Sequence, residues 1–215
     1  MKIKTVFQLQ DKLDKDLAWR KKELTWIKLN MSKYASKEEI NTYLRIGTTF
    51  LYAHWEGFIK NAAENYLLYV SKQKLKYEDL TSNFLAIALR SKLMESGKSK
   101  KTSIHKGFLD FYYANLKKEA YIPYKNVIFT EYNLKSKILK EIIITLGLDY
   151  SPYELKGNYI DSNLVKNRND IAHGRYIDID LIDFENLYRD IISLLDIFKD
   201  QIIDAAKCRN FCCLS

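Results

Sequence analysis

A short run near the carboxyl end of the chain combines a cation, an amide and an imidazole at helical spacing. It spans residues 168–174 and reads Arg-Asn-Asp-Ile-Ala-His-Gly. On a helix, Asn169 and His173 lie four residues apart and share a face, with Arg168 next to that face. A guanidinium can hold a phosphate through two hydrogen bonds and stays charged, and an imidazole exchanges a proton near neutral pH. Together these groups are suited to phosphodiester transfer without a metal ion.

The same residues also have a structural explanation. Positive side chains at the end of a helix interact favourably with its last carbonyl groups, and Arg168 and His173 would both do so. An arginine followed five residues later by a histidine is in itself a weak pattern. Spacing alone therefore leaves both explanations open.

Other catalytic and ligand-binding patterns are incomplete. Residues 97–99, Gly-Lys-Ser, resemble the end of a phosphate-binding loop, but Lys92 stands where that loop requires a glycine. His54 and Glu56 have the spacing found in zinc deaminases, but no Pro-Cys-x-x-Cys segment follows. With three histidines and no Gly-x-Ser-x-Gly segment, nothing indicates a histidine metal cage or a hydrolase triad. We expect neither a metal nor a cofactor.

The composition predicts a cytoplasmic all-α protein. Seven Gly and two Pro make up about 4% of the 215 residues, against about 12% in average proteins, which excludes turn-dense β-sandwiches and low-complexity disorder. No apolar run approaches the roughly 18 residues of a membrane span, and the amino terminus lacks the apolar core of a signal peptide. The three cysteines lie within the last eight residues, where disulfides between them could not link distant parts of the fold. We expect no membrane association.

Apolar periodicity and capping signals predict a series of helices. The expected spans are 5–30, 36–74, 82–96, 103–118, 133–146, 161–174 and 180–206. Ser36 and Glu39 form a capping box at the start of the second helix. Inside that helix, Gly47 and Gly57 permit either a close neighbour or a bend. Residues near 120–133 are the least helical and are expected to form an irregular insertion.

The net positive charge of the chain favours negatively charged partners. Lys and Arg number 35 against 27 Asp and Glu, a formal net charge of +8. A basic excess favours polyanions, although lysines that only solvate helix surfaces give the same count. A basic, polar loop at residues 98–101 lies between the third and fourth helices. We expect a single helical domain over 1–207 and a carboxyl-terminal tail over 208–215.

From Trp19 to about Phe198 the sequence resembles HEPN domains, a family named for nucleotide binding in higher eukaryotes and prokaryotes. The resemblance rests on Leu164-Val165, the 168–174 run, the short connector and the long final helix. The upstream segment 43–58 is similar to prokaryotic HEPN proteins of toxin–antitoxin and defence systems. The insertion near 120–133 has no counterpart in that pattern.

The resemblance implies an up-and-down helical bundle, a two-fold homodimer and metal-independent endoribonuclease activity. In that mechanism the 2′-hydroxyl of RNA attacks the adjacent phosphate, and DNA is spared. His173 would act as general base or acid, Arg168 would stabilise the developing charge and Asn169 would orient the scissile group. The candidate supporting residues are His54, Glu56 and Asp170, and the candidate RNA-binding residues are Lys98, Lys100, Lys101 and Arg175.

Several alternatives remain open. His54 and Glu56 could instead be polar residues packed at the edge of an aromatic-rich helix. The protein could be a HEPN-like module that binds RNA, a nucleotide or a partner protein without cleaving. It could also be a scaffold bundle whose basic charge has no role with nucleic acid. A toxin of this type would have an antitoxin or other regulatory protein as a partner.

Overall fold

The computed structural model describes residues 3–31 and 36–213, and within these ranges it contains helices and no β-strand. This confirms the all-α fold class. The helices are α1 Val6–Met31, α2 Lys37–Ser71, α3 Ser82–Ala88, α4 Arg90–Gly97, α5 Thr102–Asn115, α6 Ser136–Leu146, α7 Ser151–Glu154, α8 Gly157–Ile160, α9 Lys166–Ala172 and α10 Leu181–Lys207. A 3₁₀ turn covers Tyr77–Asp79, and a π-helical turn covers Asp161–Val165.

Local capping chemistry sets several helix ends where the sequence predicts them. The Ser36 hydroxyl accepts a hydrogen bond from the Glu39 N–H at 3.2 Å, which confirms the capping box at the start of α2. Asp180 accepts from the Ile182 N–H at 2.7 Å and opens α10. Gly147, at φ +67°, ends α6 in the left-handed conformation that glycine adopts most readily.

Three predicted helices differ from the structure. The helix expected from Asp161 begins earlier, at Gly157, and Asp161–Val165 forms a π-helical turn within it. The expected helix over 82–96 is divided at Leu89, whose ψ of 3° departs from helical geometry. The helix expected from Asn133 begins at Ser136, because Asp161 accepts hydrogen bonds from both the N–H and the hydroxyl of Ser136, at 2.7 and 2.6 Å. This cap comes from a residue 25 positions away, so local sequence signals do not contain it.

Helices α1, α2 and α10 form the main layer of the core. Trp55, Phe58 and Tyr66 of α2 are fully buried between the neighbouring helices. The two glycines of α2 permit close approach, and the helix continues through both. A Cβ atom at Gly57 would lie 2.8 Å from Nη1 of Arg20, and one at Gly47 would lie 3.0 Å from the Phe184 ring.

The insertion and the expected tail both pack on this core. Ile122, Ile128 and Leu134 of the irregular segment are buried. Phe211 is fully buried, with its ring edge-on to Phe84 at 6.2 Å between centroids. Phe211 thus anchors this stretch to the core, because burying an aromatic ring removes a large apolar surface from water. The remaining two residues of the expected tail, Leu214 and Ser215, lie outside the described residues.

Within the described ranges, no helix combines the length and the apolar composition needed to cross a membrane.

A buried polar cluster joins α1 to α2 around His54. His54 Nε2 lies 2.8 Å from a carboxylate oxygen of Glu23, while Nδ1 is buried without a hydrogen-bond partner. Close by, Asp16 accepts from Arg20 Nε at 3.1 Å and from Asn61 Nδ2 at 2.7 Å. Burial is the main cause of a lowered His54 pKa, and the positive charge of Arg20 adds to it, against the opposing influence of Glu23 and Asp16.

This environment predicts a loss of stability in mild acid. The folded pKa of His54 lies below its ordinary value of 6.5, so the unfolded chain takes up the proton first as the pH falls. The free energy of unfolding should therefore decrease as the pH drops below about 6.5. Urea unfolding of the wild type and of His54→Gln between pH 7.5 and 5 measures this contribution, since the other titrating groups are common to both proteins. A wild-type curve parallel to that of His54→Gln would contradict the prediction.

Candidate active site

The 168–174 run ends a helical segment that extends from Gly157 through the π-helical turn to Ala172. Gly174, at φ +74°, reverses the chain there. Its N–H donates to the Ile171 carbonyl at 3.0 Å, and the Arg175 N–H donates to the Asp170 carbonyl at 2.9 Å. This pair of bonds is a Schellman motif, which needs a residue that tolerates positive φ. The presence of glycine at position 174 is thus explained by the helix end alone.

Arg168 is the best anchored member of the run. Its guanidinium carbon lies 3.8 Å from the centre of the Tyr52 ring, and Nη2 donates to the Tyr132 carbonyl at 2.7 Å. The side chain is half-buried, and its Nε atom is buried without a hydrogen-bond partner. A fixed cation with an unsatisfied donor is therefore held where α9 meets both α2 and the insertion.

Tyr52 connects Arg168 to Glu56, which lies one turn further along α2. The Tyr52 hydroxyl accepts from the Leu134 N–H at 2.8 Å. The pKa of Tyr52 is raised to about 12, mainly by burial and also by the Glu56 carboxylate, while the Leu134 N–H and Arg168 act in the opposite direction. Tyr52 therefore remains a neutral phenol and can donate a hydrogen bond.

A turn at the end of the insertion completes this cluster. Glu131 and Tyr132 adopt φ values of +53° and +55°, which are uncommon for residues other than glycine and cost about 1–3 kcal/mol each. This turn presents the Tyr132 carbonyl to Arg168. It also places Asn133 Oδ1 where it accepts from Asn169 Nδ2 at 3.1 Å. The insertion thus fixes two of the predicted site residues.

His173 differs from Arg168 in its surroundings. It directly follows Ala172, the last residue of α9, is exposed, and its N–H donates to the Asn169 carbonyl at 3.0 Å. Neither ring nitrogen has a hydrogen-bond or ion-pair partner among the described residues. Within the described chain, no side-chain hydrogen bond joins His173 to Arg168. Its imidazole is therefore free to meet a ligand from solvent.

A cavity of about 530 Å³ adjoins the run on the side of α6. Asn169, Asp170 and Arg175 line it together with Lys135 and Lys166. The Asp170 carboxylate is 2.8 Å from Arg175 Nη1 and 3.9 Å from Lys166 Nζ, so its charge is compensated. Asp161 also lines this cavity, and its carboxylate accepts hydrogen bonds from the N–H and the hydroxyl of Ser136. Because both carboxylates already have partners, the three cations make the cavity suitable for a phosphate group.

The structure brings some of the predicted residues together and separates others. Glu56, Asp170 and Arg175 lie at or next to the Arg168 cluster. His54 does not, because it lies two residues from Tyr52 on α2 and faces α1. The loop 98–101 joins α4 to α5, and no hydrogen bond, ion pair or ring contact links it to residues 168–175 within the described chain. Across residues 3–31 and 36–213, no three His, Cys, Asp or Glu side chains are grouped so that they could hold a metal ion.

Sequence reasoning missed Tyr52, Tyr132 and Asn133. For Tyr52 a signal existed, since Tyr52 and Glu56 are four residues apart and share a helix face. Tyr132 and Asn133 gave none, because their roles depend on a turn in an irregular segment.

The contrast between Arg168 and His173 predicts different effects on stability. Arg168→Ala removes a hydrogen bond to a carbonyl and a contact over an aromatic ring, so it should lower the free energy of unfolding by about 1–3 kcal/mol. His173→Ala removes an exposed side chain without side-chain partners and should change it by less than about 0.5 kcal/mol. Urea unfolding measures both, with Arg189→Ala, an exposed arginine on α10, as the control for arginine removal. Equal effects of the Arg168 and Arg189 substitutions would contradict the anchoring role.

Comparison with models of known protein families gives a match to RiboL-PSP-HEPN over residues 15–204. That range includes Tyr52, Glu56 and the whole 168–174 run. Comparisons with curated proteins and with solved structures gave no significant match. Membership of this family indicates a nuclease or another RNA-related function. On the extent of this match, together with the all-helical fold, the chain belongs to the HEPN domain family.

Proposed function

We propose that this protein is a metal-independent endoribonuclease that cleaves RNA by attack of the 2′-hydroxyl on the adjacent phosphate. The observation that carries the proposal is the placement of Arg168, a half-buried cation with an unsatisfied donor, at the same helix end as an exposed and unpartnered imidazole. The first group is suited to charge stabilisation and the second to proton transfer. By resemblance, we place the enzyme among toxin or defence effectors, with RNA as substrate and an antitoxin or other regulatory protein as a further partner.

The proposed reaction divides its tasks among few groups. A base takes the proton of the 2′-hydroxyl as its oxygen bonds to phosphorus. Arg168 stabilises the charge on the non-bridging oxygens, and Asn169, held by Asn133, orients the phosphate. The bond from phosphorus to the 5′-oxygen then breaks, and an acid protonates that oxygen. The products carry a 2′,3′-cyclic phosphate and a free 5′-hydroxyl.

Base and acid are two tasks, and one copy of the run supplies one imidazole. We therefore propose a homodimer in which His173 of each copy contributes to a shared site. An apolar groove beside the run supports this arrangement. Ile46 and Phe50 of α2, which are 43% and 41% exposed, line this groove together with Ile171 of α9. Burying this groove in a two-fold interface would remove apolar surface from water next to the run.

Cleavage assays on purified protein test the reaction. His173→Ala should lower the rate by about 10²–10⁴-fold because it removes the proton carrier. Arg168→Ala should lower it by about 10²–10³-fold because it removes charge stabilisation. Arg189→Ala on α10 is the matched control for the removal of an arginine and should retain the wild-type rate.

Two substrate and buffer conditions complete this test. Chelator should have no effect, and RNA with a 2′-deoxy sugar at the scissile position should resist cleavage. The proposal fails if folded His173→Ala cleaves at the wild-type rate, or if chelator abolishes cleavage and DNA is cut equally well.

The dimer has its own test. Ile46→Glu places a charge in the proposed interface, so it should produce monomers and reduce cleavage together. Leu109→Glu on α5, at a site that is 47% exposed, is the control and should change neither. Light scattering at micromolar concentration gives the mass, and the cleavage assay gives the activity. A strictly monomeric wild type that still cleaves RNA would remove the shared site.

A further inference from the structure

A second cavity, of about 600 Å³, lies between α3, α6 and the insertion. Ile87, Ile128 and Ile142 contribute apolar surface, and Arg90, Lys135 and Lys137 contribute positive charge. This volume is in the range of cavities that take small organic ligands. The proposed catalytic groups do not lie in it.

The cavity adjoins the candidate active site. Lys135 lines both this cavity and the one beside Asn169 and Arg175. Glu131 also lines the second cavity, and its neighbour Tyr132 supplies the carbonyl that holds Arg168. A strand bound at Arg168 can therefore continue past Lys135 into the second cavity.

Phe129 gives this cavity an aromatic surface. It lies three residues before Tyr132, so the two Cα atoms are at most about 11 Å apart. Phe129 is 54% exposed, so its ring is accessible to a ligand in the cavity. The Arg90 guanidinium carbon lies 5.1 Å from the centre of its ring, and Arg90 Nη1 donates to the Asn126 carbonyl at 3.3 Å. Aromatic rings and guanidinium planes are the surfaces on which unpaired nucleobases stack.

The charges of this cavity also fit a base better than an isolated phosphate. The carboxylates of Glu131 and Glu141 line it together with the three cations. Neither carboxylate has an ion-pair partner among the described residues. A carboxylate repels phosphate but accepts hydrogen bonds from the amino group of a base. The cations can meanwhile compensate the sugar-phosphate backbone.

We infer that the cavity between α3 and α6 binds an unpaired nucleobase of the RNA strand that passes the 168–174 run, with Phe129 and Arg90 as its stacking surface. This inference rests on the proposed function, because it takes RNA as the ligand. It assigns Phe129 to substrate binding and not to the chemical step.

Binding measurements test this without depending on cleavage. In a His173→Ala background, the Kd of a fluorescent single-stranded RNA is compared for no further change, Phe129→Ala, Phe129→Leu and Phe129→Trp. Loss of one stacked base should weaken binding about 5- to 150-fold for the Ala and Leu variants, while Trp should retain it. Phe7→Ala on α1 removes a phenylalanine that is 79% exposed and should leave Kd unchanged.

A scan with abasic RNA identifies the ligand. One abasic position should weaken binding to the His173→Ala protein and have no further effect once Phe129→Ala is present, because both changes remove the same contact. If Phe129→Ala and Phe7→Ala bind RNA equally, or if no abasic position couples to Phe129, the inference is overturned. A free mononucleotide that binds more tightly than the strand would also overturn it. Wild-type protein that fails to cleave, with the Phe129 coupling present, would overturn the proposed activity and leave this binding site standing.

Discussion

The position of the Arg168 guanidinium is the interaction on which the site depends. A guanidinium cannot release its charge by losing a proton, so a half-buried one requires partners from the surrounding chain. Here the Tyr52 ring on α2 and the Tyr132 carbonyl at the end of the insertion supply them, 3.8 Å from the guanidinium carbon and 2.7 Å from Nη2. One side chain of α9 thus joins three segments that are remote in sequence. The uncommon backbone of Glu131 and Tyr132 is consistent with this, because strain of that kind persists only where the surroundings hold it.

Helix α2 carries residues of the candidate site on one face and residues that only stabilise the bundle on another. Tyr52 and Glu56 face α9, whereas His54 and Gly57 face α1. Two residues along a helix are about 200° apart, so polar residues of α2 that are close in sequence point to opposite sides and have different roles. His54 contributes to a buried polar cluster in the bundle, and Glu56 contributes to the electrostatics around Tyr52. A continuous helix of 35 residues keeps these two environments fixed relative to each other.

The sequence predicts those helices and helix ends that depend on local periodicity and capping. It predicted α1, the capping box at Ser36, the Asp180 cap and the end of α6 at Gly147. It failed where a distant group decides, as at Ser136, which is capped by Asp161. Nor does a local signal indicate the contacts of Phe211, which lies in the stretch predicted as a tail and is buried against aromatic rings from α2 and α3. The Arg168 run could be identified as a pattern, but the Tyr132 and Asn133 contacts depend on an irregular turn that has no periodic signal.

The unequal anchoring of Arg168 and His173 fits the tasks proposed for them. Charge stabilisation is effective only when the cation is in place before the charge develops, so that no reorganisation is needed during the reaction. In the proposed dimer each imidazole must instead adjust to its own oxygen of the substrate, the 2′-oxygen for the base and the 5′-oxygen for the acid, and an exposed imidazole at a helix end has that freedom. The described chain fixes the first group and leaves the second without a partner. In the proposed dimer the scissile phosphate would meet a preformed cation, and the proton-transfer geometry would be complete only when RNA and the imidazole of the second copy enter the same cleft.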